Sequence, residues 1–156
     1  MADENINATE NINTANEETQ RPENEPVKTE REKQEEAINL VIEQYGSGKM
    51  ELMTPIKSRD KEITELEWDF TILTGKEYVQ ALDADRSAPN AFTLTNTQAL
   101  AFFAAAAARK TPGLDTRDIR DRLGMQDAVK AIQLAQVFYA ACNRAGNARI
   151  TNRSQI

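Results

Sequence analysis

The sequence has no histidine, one cysteine (Cys142) and one tryptophan (Trp68). Without imidazole, the commonest general base and metal ligand is missing, and a zinc site would need an unusual all-carboxylate donor set. One thiol cannot close an internal bridge. With Ala140 and Ala141 before it, Cys142 reads as a packed thiol in preference to a reactive one, which suits a reducing cytoplasm. No apolar run approaches the roughly 20 residues of a membrane span. Met1 leads straight into polar residues, so no secretory leader is expected.

Charge is abundant but unevenly placed. Through Glu36 there are eleven acids against four bases, and beyond it fourteen against fifteen. The net charge of −6 therefore belongs to the leader. Such a segment cannot bury enough apolar surface to offset its ordering entropy. A disordered acidic tail is expected over residues 1–28, kept for solubility or able to fold on a basic partner. The near-echo of Glu4–Thr9 in Glu10–Ala15 is low complexity, and two copies are too few for a structural repeat. An ordered domain is expected over 29–146, and a flexible C-terminal tail over 147–156.

Order begins with Thr29-Glu30-Arg31-Glu32, a capping box followed by Ile38, Val41, Ile42 and Tyr45 at helical spacing. Gly46 and Gly48 are expected to end that helix. Gly46-Ser47-Gly48-Lys49 is not a phosphate loop, because Glu43 and Met50 stand where that pattern needs glycine and a hydroxyl. Next, Met50, Leu52, Thr54 and Ile56 alternate with Glu51, Met53 and Pro55, and Leu66, Trp68 and Phe70 alternate with acids beyond the polar turn Lys57–Lys61. The alternation predicts a hairpin with one wet face. Pro55 places its strand at an edge, and Ile63, out of phase with Leu66, permits a bulge or a late strand start. A two-stranded hairpin is marginal alone, so its apolar face needs helices or another chain.

The remainder reads as helical. Thr74-Gly75-Lys76-Glu77 opens a short helix through Asp83. After a polar loop with Pro89, Thr95-Asn96-Thr97-Gln98 opens the Ala-rich helix Thr97–Lys110, with Leu100, Phe103 and Ala107 on one stripe. Thr111-Pro112-Gly113 stops it. Asp115 caps another short helix, with Leu114 and Ile119 as a hydrophobic staple. Gly124 breaks that one, and Gln126–Asn143 forms the last. This helix is apolar nearly all round, so it is either the centre of the domain or also faces a partner. The fold class expected is mainly α with one β-hairpin, a small α+β domain.

No catalytic constellation emerges. Glu65, Glu67 and Asp69 alternate on a wet strand face, where a solvated charge row is the ordinary reading. Arg117, Arg120 and Arg122 are interleaved with Asp115, Asp118 and Asp121, which favours local salt bridges over a nucleic-acid footprint. No catalytic residue, cofactor or metal is expected, and neither nucleic acid nor membrane is an expected partner.

The order of parts does resemble a family. Leu52-x-x-Pro55-Ile56, a polar turn and Glu62-Ile63-x-Glu65-Leu66 precede Asp118-Ile119-x-x-Arg122-Leu123, Asp127-Ala128-Val129-x-x-Ile132 and Val137-Phe138-Tyr139. This resembles the tail assembly chaperones of contractile- and long-tailed bacteriophages. The likeness covers Met50–Tyr139. The motifs are apolar patterns without an invariant chemical group, the Lys57–Lys61 turn lacks the glycine often found there, and the acidic leader is foreign to the pattern. The resemblance implies a non-enzymatic protein of the host bacterial cytoplasm. It would bind the tape-measure protein, help recruit tail-tube subunits, and be absent from the mature virion. Self-association is a further expectation. The alternative is a small phage- or host-encoded adaptor, or a minor structural subunit, that holds one partner permanently. Leu100, Phe102, Phe103, Leu134, Phe138 and Tyr139 are the expected partner-binding residues, Phe103 and Phe138 being open to a plain core role.

Overall fold

The computed structural model describes residues 26–87 and 93–153, with side chains as far as Asn147 at the C-terminal end. Most of the expected acidic tail, and the loop around Pro89, lie outside these residues. The order is α1 (Glu30–Tyr45), β1 (Ser47–Ser58), β2 (Lys61–Asp69), a 3-10 turn (Phe70–Ile72), α2 (Gly75–Leu82), α3 (Asn96–Lys110), α4 (Thr116–Arg122) and α5 (Met125–Arg153). Helices with one antiparallel hairpin are the fold class expected.

Local chemistry fixes four helix starts. Thr29, Thr74, Thr95 and Asp115 each accept a hydrogen bond from the third helical residue's N–H, and that residue's side chain accepts one in return from the cap N–H. Two otherwise orphaned donors are satisfied at each start. Leu114 and Ile119 are both buried beside the Asp115 cap, as a staple requires. Alanine, the best helix former, dominates α3, and Thr111 leaves helical geometry just before Pro112.

The two strands pair from Ser47↔Asp69 to Ser58↔Lys61, leaving only Arg59 and Asp60 in the turn. The turn is tighter than the expected Lys57–Lys61 stretch, and Arg59 stands at φ 55°, where glycine is commoner. Register breaks between Glu51↔Glu65 and Ile56↔Ile63. Leu52–Pro55 therefore stand opposite Thr64 alone, so the irregularity is a bulge in the Pro55 strand and not a late start of β2. Gly48 pairs with Trp68 inside β1 and does not belong to the helix end, which Gly46 caps.

Met50, Leu52, Ile56, Leu66 and Trp68 of the hairpin pack with α3, α4 and α5 into one core. At its centre Phe70 stacks on Phe102 (centroids 5.1 Å) and on Phe138 (4.9 Å). Trp68 leans on Phe103 at 5.8 Å. Tyr78 of α2 lies against Tyr139 of α5 at 6.0 Å, and their hydroxyls are 3.0 Å apart. Burial first, and the Tyr139 hydroxyl second, push the Tyr78 phenol pKa up to about 12. The last helix begins at Met125 and runs to Arg153. Residues 147–153 are therefore helical, where a flexible tail was expected.

Candidate interaction surface

Of the six residues expected to bind a partner, Phe102, Phe103, Phe138 and Tyr139 are buried, and Leu100 and Leu134 are half-buried and packed against the same core. The four aromatics therefore form no exposed patch for a partner. These rings turn inward because Phe70, just after β2, Phe102 of α3 and Phe138 of α5 pack on one another, Phe102 and Phe138 themselves 6.4 Å apart by centroid. Phe103 and Phe138 take the plain core role.

The structure instead joins two segments far apart in sequence. Asp127, 3% exposed, sends both carboxylate oxygens into the β1 bulge. Oδ1 accepts the Met53 N–H at 3.0 Å and Oδ2 the Thr54 N–H at 3.2 Å. Four β1 residues opposite one of β2 leave donors without a ladder partner, and the carboxylate replaces the missing acceptors. Gly124 lies against Thr54, so near that a Cβ there would be 3.0 Å from the threonine side chain. Asp127 sits in the first turn of α5, where the helix dipole favours a negative charge.

Three large apolar side chains on these two segments stay exposed, among exposed polar neighbours such as Glu51, Gln126 and Lys130. Met53 is 74% exposed, Met125 80% and Val129 51%. Met125 and Val129, four residues apart, share a face of α5, and as neighbours two positions either side of Asp127 they point away from the clamp. Unbranched, polarizable methionines make adaptable contacts, and no sequence signal marks these side chains. The alternation of β1 assigns Met53 to the wet face, and the pattern of α5 draws attention to its larger aromatics.

Other candidates resolve into structure. A groove of about 460 Å3 between α2, α3 and α4 has an alanine floor and is bordered by the Glu77–Arg109 pair. Arg109 donates from Nε to Glu77 Oε1 at 2.7 Å and from Nη2 to Oε2 at 3.0 Å. The guanidinium, with the Thr74 N–H, holds the Glu77 carboxyl pKa down at about 2. Arg122 donates to the Lys57 carbonyl at 2.7 Å and pairs with Asp118 at 3.5 Å. The latter is one of the local ion pairs expected of α4. Lys49–Glu65 (3.7 Å) and Lys110–Glu67 (3.6 Å) occupy the hairpin's acidic row. Cys142 is half-buried against the core, and burial raises its thiol pKa.

Among the described residues, no group of three or more acidic, cysteine or histidine side chains could hold a metal ion. No described helix is long and apolar enough to cross a membrane. Comparison with protein-family models, with curated proteins and with solved structures finds no match.

Proposed function

We propose that this chain is a tail assembly chaperone of a long-tailed or contractile bacteriophage, binding the tape-measure protein in the host cytoplasm and leaving before the virion is complete. One observation carries the reading. Leu52-x-x-Pro55-Ile56 and Asp127-Ala128-Val129, two of the segments on which the resemblance rests, meet at the Asp127 clamp and hold Met53, Met125 and Val129 out to solvent. The client contacts are then these exposed side chains and not the aromatic core.

The physics suits transient holding. Burying three such side chains against a helical client contributes roughly 1.5–3 kcal/mol each, and association costs cancel much of the sum. Binding of that strength is reversible, and the thioethers adapt to a client without one fixed shape. Recruitment of tail-tube subunits belongs to the same proposal.

Co-expression with the tape-measure protein tests it. The expected result is a soluble complex that forms only when this chain is present, and that the folded double variant Met53→Glu/Met125→Glu fails to form. A tape-measure protein that stays soluble alone and never co-purifies would sink the proposal. Stoichiometric retention of this chain in finished virions would replace it with the permanent-subunit reading.

A further inference from the structure

α1 is a sixteen-residue helix without one buried residue, whereas α2 buries Ala81, α4 buries Ile119 and α3 buries eight residues. Its sequence explains the difference. At helical spacing, Arg31 and Glu35 share one face with Ile38, Val41, Ile42 and Tyr45. The last two turns of that face are apolar and half-buried, while the first two are polar and exposed. Ile42 alone of the four apolar residues packs against the buried core. α1 rests chiefly on α5, and a groove of about 510 Å3 opens beside the seam between Ile38 and Arg144, so packing there is incomplete.

Polar ties hold this helix to the body at one end only. Among the described residues, its side-chain hydrogen bonds and ion pairs stay within Lys28–Glu36. Lys28 meets Glu36, Thr29 meets Glu32, Lys33 meets Glu30 at 3.0 Å and Arg31 meets Glu35 at 3.3 Å. At the other end the Tyr45 carbonyl accepts the Trp68 Nε1–H at 3.4 Å, and the Gly46 carbonyl accepts the Phe70 N–H at 2.7 Å. The helix is thus pinned to the hairpin behind its last turn. Leaving α5 breaks none of the local bonds, and only a half-covered stripe opposes it. Elements with few buried apolar contacts open at lower free energy than the core.

We infer that α1 is a strap that swings off α5 about Tyr45–Gly46 as one unit, at a free energy below that of global unfolding. The open state bares Ile38, Val41, Ile42, Tyr45 and the α5 flank beneath them, an apolar surface that the closed state half covers. Helices of about this length are marginal in water, so the α1 amides exchange once the helix has left. The swing follows from the fold alone and does not depend on the client proposed above.

Amide hydrogen exchange of the full chain, read residue by residue by NMR, tests it. Amides from Gln34 to Tyr45 should share one protection factor, at least about a hundredfold below that of the α3 amides. The Phe70 amide, at the pinned end, should stay as slow as those of α3. Ile119→Val separates the two units, because α4 packs on α3 and β1 and keeps its place when the strap opens. That variant should quicken α3 exchange about threefold to tenfold and leave α1 exchange unchanged. Wild-type α1 amides as slow as those of α3 overturn the inference, because the helix then opens only with the whole fold. Exchange that slows steadily from Gln34 to Tyr45 overturns it too, since that is fraying from the free end. So does an Ile119→Val chain in which α1 and α3 quicken together.

Discussion

Asp127 holds Thr54 by a hydrogen bond that spans seventy-three residues, Oδ2 accepting the backbone N–H at 3.2 Å. The other oxygen holds Met53, so one buried carboxylate keeps the bulge of β1 on the first turn of α5. Truncation to Asp127→Ala leaves two backbone donors without an acceptor, and charge-assisted bonds are the stronger kind. The expected loss is roughly 2–4 kcal/mol in urea denaturation, with fast hydrogen exchange at the Met53 and Thr54 amides. Asp127→Asn turns an NH2 towards one of the donors and should lose about half as much. An Asp127→Ala chain with an unchanged urea midpoint would show that the clamp is dispensable.

Phe70, Phe102 and Phe138 pack as one three-ring cluster. Phe138→Ala should cost about 3–5 kcal/mol, the range for losing a buried ring. Phe102→Asp should abolish the cooperative transition, because the carboxylate would lie in an apolar core. Loss of client binding in these variants would report unfolding and not a lost contact. A Phe102→Asp chain with wild-type thermal unfolding would contradict the stacked core.

These two sites mark the division between what is legible in the sequence and what is not. Four helix starts are readable because a capping box is complete within four residues, as at Thr74 and Glu77. The hairpin is readable because Leu66 and Trp68 keep a strict alternation. The inward turn of Phe102 is not. α3 carries alanine on most of its circumference, and alanine fits a core and a surface equally well. Asp127 stands in a readable pattern, but its role depends on a bulge 73 residues away, and no local period encodes that pairing. Alternation places Met53 on the solvent side, but the clamp on its backbone N–H lies outside that alternation. Helix α5 passes its expected end because Gly146 costs only about 1 kcal/mol relative to alanine within a helix.

Glu77 serves two masters, the Thr74 cap and the Arg109 guanidinium. Its folded pKa, about 2, lies below the ordinary 4.5, so folding favours the ionised form. The stability it contributes is fully present above pH 4.5 and is lost as pH falls from there towards 2. The pair is partly exposed, so the contribution is about 1 kcal/mol or less. Glu77→Gln keeps a cap acceptor and removes the charge. Its stability should fall less steeply than wild type between pH 4.5 and 2, and the two curves should converge at the acid end. Parallel wild-type and variant melting curves over that window would show that the ion pair is not coupled to folding.

Gly48 lies beneath the Trp68 indole, and a Cβ there would stand 2.8 Å from Cη2 and 2.9 Å from Cζ2. Two effects of Gly48→Ala oppose each other. Removing glycine from a strand reduces the entropy lost on folding, a gain of about 0.5–1 kcal/mol where there is room. Here there is none, and the ring has little freedom to move. It is buried, lies 5.8 Å from Phe103 by centroid, and donates its N–H to the Tyr45 carbonyl at 3.4 Å. Shifting it breaks that bond and opens the packing on Phe103, a cost of roughly 1–3 kcal/mol. Sterics should therefore win, with a net loss in urea denaturation. Trp68 is the only tryptophan, so its emission reports the event directly, and Gly48→Ala should shift it to the red in the native state. A variant that is more stable than wild type, with unshifted emission, would mean that the indole does not rest on Gly48.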